Sequence, residues 1–246
     1  MSDHPRSRPS PSQQPPSSRA GQILWASAGV HGSGKRNEDV CGCFPDFPED
    51  GLFVVADGTS THSWGGAGLA ALAVNALRAY FEGVYPEQVG GGERRLERGV
   101  LAAHRCLRQV LELAYPFAMV QMAALSLSRD GVHLAHVGTC RIHRIRGHEC
   151  ALLTADHVVD AGAGAPAVTR TLDMPDVSVT LRTDERRSGD VYLLSTPGIH
   201  RALPLATLGE IIASSRGPES AVQALTDEAR RAGGRADATC VVLRVP

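Results

Sequence analysis

The chain has 246 residues, with 25 Lys and Arg against 26 Asp and Glu, and 43% hydrophobic residues, enough for one good-sized core. A formal net charge of -1 argues against a nucleic-acid or membrane partner, and the pairs Arg94-Arg95 and Arg186-Arg187 read as solvated surface. No window approaches the roughly 18 apolar residues of a membrane span, and the N-terminus lacks the apolar core of a signal peptide, so the expected location is cytoplasmic.

Residues 1–20 are Pro, Ser, Gln and Arg with almost nothing apolar, a composition that cannot offset its ordering entropy, and a disordered tail is expected there. Residues 21–246 then form one folded domain. Its first half alternates short apolar strands with an amphipathic helix in which Leu69, Leu72, Ala73, Ala76, Leu77 and Tyr80 recur at helical spacing, with Ser63 as N-cap. A second helix is expected from Glu93 to Leu113, between the glycines at 90–92 and Pro116. Strands follow over Met119–Leu127, Val132–Val137, Arg141–Arg146 and Glu149–Leu153, the first two joined by the hairpin signal Arg129-Asp130-Gly131.

Residues 160–175, rich in Gly, Ala and Pro, read as a flexible connection, followed by strands at Val177–Leu181 and Val191–Ser195. Helices at Leu205–Ser214 and Glu219–Ala232 come next, the latter stopped by Gly233-Gly234, and the chain closes on a strand from Ala238 to Val245. Strands grouped together, not alternating regularly with helices, predict an α+β sandwich of antiparallel sheets. The six cysteines lack the CxxC spacing of zinc sites and are expected to be buried thiols.

Two segments carry the chemistry: RNED at Arg36 to Asp39, and FVVADGTSTHS from Phe53 to Ser63. An apolar run ending in Asp57-Gly58 brings a carboxylate and an unhindered glycine carbonyl to a strand end, and hard divalent ions bind such oxygens.

The ordered series RNED, FVVADG with a later histidine, VGTCR, LTADH, GDVYLLSTPG and ADATCVVLRV resembles the PPM-type, or protein phosphatase 2C-like, serine/threonine phosphatases, in a divergent bacterial branch. The resemblance runs from Ser27 to Val245. It implies a four-layer α-β-β-α sandwich with a dinuclear Mg or Mn site at one end, where the metals activate water for attack on a phosphoserine or phosphothreonine.

Carried over residue by residue, the resemblance makes Asp57 the carboxylate bridging both metals and Gly58 a carbonyl ligand to one of them. Glu38 would bind that metal directly or through water, with Asp39 supporting the site from its edge. His62 matches a family histidine, either as proton donor or as structural hydrogen-bonder. The phosphate-gripping arginine usually stands four residues before the glutamate, where this chain has Gly34; Lys35 or Arg36 would have to take its place.

Three expected carboxylates are absent, their places taken by Thr139, Pro197 and Ala236. Thr139 replaces a ligand of an additional metal, whereas Pro197 and Ala236 replace direct ligands of the pair. Two divalent ions bring four positive charges, against one negative charge each on Glu38, Asp39 and the bridging Asp57. The expectation is therefore a pseudophosphatase: weak or partial Mg or Mn binding, little or no turnover, and retained binding of a phosphoprotein or signalling partner. The alternative is an active divergent phosphatase in which Asp237, Asp190 or Asp184 fills a vacant position. For Asp237, a one-residue shift along a strand is expected to turn the side chain to the opposite face.

Overall fold

The computed structural model describes residues 22–33, 36–47, 50–60, 65–83, 90–114, 117–162 and 166–246. The tail at 1–20, the Ser63 cap, and Gly34, Lys35, His62 and Trp64 lie outside the described residues.

Two five-stranded antiparallel sheets form the middle of the molecule. One has the order β1 (Leu24–Val30), β12 (Ala238–Arg244), β11 (Val191–Ser195), β6 (Arg141–Arg146) and β7 (Glu149–Leu152). The other runs β10 (Thr180–Asp184), β5 (Val132–Val137), β4 (Ala118–Leu127), β3 (Asp50–Ser60) and β2 (Asp39–Phe47). The expected four-layer α-β-β-α sandwich is what the chain forms.

The layers follow from side-chain alternation along the strands. In β3, Phe53 and Val55 face the opposite sheet together with Trp25, Leu125, Tyr192, Leu194 and Val241. Leu52, Val54 and Ala56 point the other way, beneath helices α1 (Gly65–Gly83) and α2 (Gly92–Ala114). On the far side, Leu193, Val242 and Cys240 pack against α4 (Leu205–Ser214) and α5 (Pro218–Arg231). No helix among the described residues is long and apolar enough to cross a membrane.

Two expectations are corrected. Part of 160–175 is ordered: β8 (Val158–Val159) pairs with β9 (Ala167–Val168), Leu172 is fully buried, and the Val120 amide donates to Asp173 Oδ1 at 2.8 Å. The strand expected at Val177–Leu181 begins at Thr180. Its end is held by long-range polar contacts, because Asp184 accepts from Tyr192 Oη at 2.9 Å and from Arg144 at 2.9 Å, both across the sandwich.

A four-residue helix, α3 (Pro197–His200), follows β11 and was not expected. Pro197 stands at its start, where its fixed φ and missing N–H are tolerated. Its last residue, His200, is buried with His143 of β6, and His200 Nδ1 lies 3.0 Å from Ser195 Oγ. Desolvation holds the His143 imidazole down to about 4 and His200 to about 2, the Arg141 charge adding to both.

Both rings are neutral in the folded protein below their unfolded value of 6.5, whereas the unfolded chain takes up protons there. Stability from this pair is therefore complete above pH 6.5 and declines as pH falls below it. Urea unfolding of wild type beside His200→Gln isolates this contribution: wild-type stability relative to the variant should fall as pH drops below 6.5, because groups titrating elsewhere cancel in the difference.

Candidate functional site

Strand register brings the candidate carboxylates together. Asp39 of β2 stands directly opposite Asp57 of β3, which in turn stands opposite Gln121 of β4. All three continue the rows that face the other sheet, so they lie abreast at one open end of the sandwich. From the other sheet, Thr196 continues the row of Tyr192 and Leu194, and Thr239 that of Val241 and Leu243. Glu38, Asp39, Asp57 and Gly58 are thus gathered at one place, as the sequence predicts.

Asp237 belongs there too, which corrects the expectation that it would turn away. It precedes β12 and continues the inward row of Leu243, Val241 and Thr239. That alternation was available in the sequence; the motif count back to Ala236, an exposed residue, obscured it. Asp184 and Asp190, the other substitutes considered, lie at the far end of the sandwich, paired with Arg144 and Arg146.

Three of these carboxylates, Glu38, Asp39 and Asp237, accept hydrogen bonds within the chain. Glu38 Oε1 accepts the Gly66 amide at 2.9 Å, a negative charge at the first turn of α1. Asp39 Oδ2 accepts the Thr196 hydroxyl at 2.7 Å, and Thr196 Oγ1 accepts the Thr239 amide at 3.0 Å. Asp237 Oδ1 accepts the Gly32 amide at 2.7 Å and His31 Nδ1 at 3.0 Å, while its Oδ2 accepts the Glu38 amide at 2.8 Å. Asp57 has the charge of Arg201, the residue capping the C-terminus of α3, opposing that of Glu38 and Asp237.

The Gly58 carbonyl oxygen lies against α1, so close to Gly66 that a methyl group on Gly66 would sit 1.9 Å from it. Gly198 meets the Asp237 carbonyl in the same way, a methyl group there falling 1.9 Å from the oxygen. Glycine is required at both places because backbone meets backbone.

Burial, then the Asp57 charge, outweighs the Thr196 bond and pushes the Asp39 carboxyl up to about 7. Desolvation followed by the Glu38 charge pushes Asp57 up to about 6. Beneath both lies Cys140, fully buried, its thiol raised well above the ordinary value by burial and by these carboxylates. Thr139, where the resemblance puts a carboxylate, donates through its amide and its hydroxyl to Gln121 Oε1 at 2.9 and 2.8 Å. Among the described residues, no three His, Cys, Asp or Glu side chains form a group that could hold a metal ion.

Arg36 is exposed in the loop ahead of Glu38. His157 anchors the segment leading to β8: its Nδ1 accepts the Gly138 amide at 3.1 Å, its Nε2 lies 2.8 Å from Thr180 Oγ1, and it stacks on His136. Arg201 and Gln121 lie near the site but outside the motifs, and Thr196 lies within GDVYLLSTPG without being expected there as a partner of Asp39. Register identifies Gln121, strand parity Thr196, and only the unexpected α3 turn accounts for Arg201.

No protein-family model and no curated protein matches the chain at the level of sequence. Solved structures do match in three dimensions. The PPM Ser-Thr phosphatase MsPP from Mycobacterium smegmatis is 22% identical, with a TM-score of 0.78 over 92% of this chain and 100% of that one. The catalytic domain of the phosphatase PstP, in complex with two manganese ions, is 23% identical, with a TM-score of 0.79 over 91% and 98%. PppA, described as a key regulatory component of the T6SS in Pseudomonas aeruginosa, is 24% identical, with a TM-score of 0.78 over 92% and 98%. The chain therefore has the fold of the PPM-type serine/threonine phosphatases.

Two substitutions read the site without any substrate. Thr196→Val removes a hydrogen bond to a charged group and leaves the Thr239 amide without its acceptor; it should cost about 2 kcal/mol in denaturant unfolding. Asp57→Asn removes a charge that burial, Glu38 and Asp237 disfavour, and in the presence of a chelator it should raise the melting temperature at neutral pH.

Proposed function

We propose that the chain is a pseudophosphatase, a PPM-fold domain whose cleft meets a phosphoprotein or signalling partner without efficient hydrolysis. One observation carries this reading: oxygens flanking Asp57 that would hold or support a metal are already engaged within the protein. Glu38 Oε1 is on the Gly66 amide, Asp39 Oδ2 on the Thr196 hydroxyl, and the Gly58 carbonyl lies against Gly66. Pro197 and Ala236 offer no side-chain ligand.

These residues do not fit a dinuclear pair such as the two manganese ions of PstP. Loss of a single outer partner costs about 10- to 100-fold in metal affinity or activity, and the loss of two direct ligands costs more. At most one weakly held Mg or Mn remains, and one ion cannot clamp both the attacking and the leaving oxygen. A phosphate group entering an acidic cleft needs a cation, and Arg36 ahead of Glu38 or Arg201 after α3 would supply it.

The second reading is an active divergent phosphatase that recruits Asp237. Its support is that Asp237 lies on the cleft side, where its charge acts on both Asp57 and Asp39. To bind metal it would have to give up acceptance from Gly32, His31 or Glu38.

Manganese-dependent phosphate release from a phosphothreonine peptide separates the two readings. The wild type should be silent, and a Pro197→Asp, Ala236→Asp double variant should gain turnover. Release by the wild type that Asp57→Ala abolishes would overturn the pseudophosphatase reading.

A further inference from the structure

The acidic end of the sandwich has its own internal donors, which reach Glu38, Asp39 and Asp237. Asp237 is its centre. Its carboxylate receives two backbone amides, Gly32 at 2.7 Å and Glu38 at 2.8 Å, that lie on either side of the turn leading from β1 to β2. Opposed amides aimed at one anion form an anion-holding concavity, and the anion here is covalently part of the protein.

Contacts around Asp237 fix the same turn from both sides. The Ser33 amide donates to the Arg235 carbonyl at 2.8 Å, and Arg230 donates to the His31 carbonyl at 3.2 Å. A methyl group on Gly32 would fall 2.3 Å from the Arg235 carbonyl oxygen, so the two segments touch backbone to backbone. Behind Asp237, Gly198 of α3 packs on its carbonyl.

We infer that Asp237 is a positioning residue that takes over an organising role of divalent ions: it fixes the turn carrying Glu38. The cleft is then fully shaped in the absence of metal, and a partner meets the same surface whatever the divalent-ion concentration. This rests on the pseudophosphatase reading and extends it, from a site that has lost its metals to one that has replaced them.

The test uses the full chain and hydrogen exchange of the segment spanning Gly32 to Glu38, compared in EDTA and in magnesium. Protection of the Gly32 and Glu38 amides should already be present in EDTA and should not change on adding magnesium. Asp237→Ala should speed their exchange roughly 10-fold or more while β4 and β11 stay protected. Amides that are unprotected in EDTA and become protected with magnesium would overturn the proposal; should Asp237→Ala fail to fold, the wild-type comparison alone decides.

The phosphate-release assay is independent of this readout. A wild type that turns over yet keeps metal-independent protection defeats the functional reading alone, whereas a silent wild type whose turn needs magnesium defeats this inference alone.

Discussion

Asp39 and Asp57 face each other on neighbouring strands, and the open end of the sandwich is arranged around that repulsion. Like charges directly opposite in an antiparallel pair are destabilising, more so where water is partly excluded. Helices α1 and α3, strand β11 and the turn before β2 each bring a donor or a positive charge to this end. The first turn of α1 contributes the Gly66 amide, the end of β11 the Thr196 hydroxyl, and α3 the Arg201 guanidinium. The turn before β2 contributes two amides to Asp237. The two sheets are thus joined at this end by polar contacts and along their middle by an apolar core.

The far end is joined differently. There Tyr192, Arg144 and Asp184 link the sheets through one buried carboxylate that has both a hydroxyl and a guanidinium as partners, and its carboxyl is held below its ordinary value. That end is self-neutralising and the first is not. The contrast sets a structural ion pair against a cluster of unneutralised carboxylates with raised titration, the pattern that marks a candidate site on physical grounds alone.

Much of this was legible in the sequence. The limits of β5, β6, β11 and α4 coincide with the runs expected at Val132–Val137, Arg141–Arg146, Val191–Ser195 and Leu205–Ser214, because alternation, helical spacing and turn residues agree there. Glu38, Asp39, Asp57 and Gly58 were legible as a group because they lie in the RNED and FVVADG segments, on which the resemblance rests. What could not be seen were partners far apart in the chain: Thr196 and Asp39 are 157 positions apart, and Gly66 and Glu38 are 28 apart. The late start of β10 has the same origin, since Asp184 is held from the opposite sheet and not by its own segment. Asp237 was misplaced for a simpler reason: its parity was taken from the motif, when the apolar residues of β12 define it.

Cys140 lies beneath the two carboxylates, fully buried, with a thiol that resists ionisation. Only a thiolate reacts readily with an alkylating reagent, so this sulfur is silent as long as the sheets stay closed above it. The rate at which it becomes labelled therefore counts the openings of the acidic end. The protein carries its own clock for how often that end of the sandwich parts.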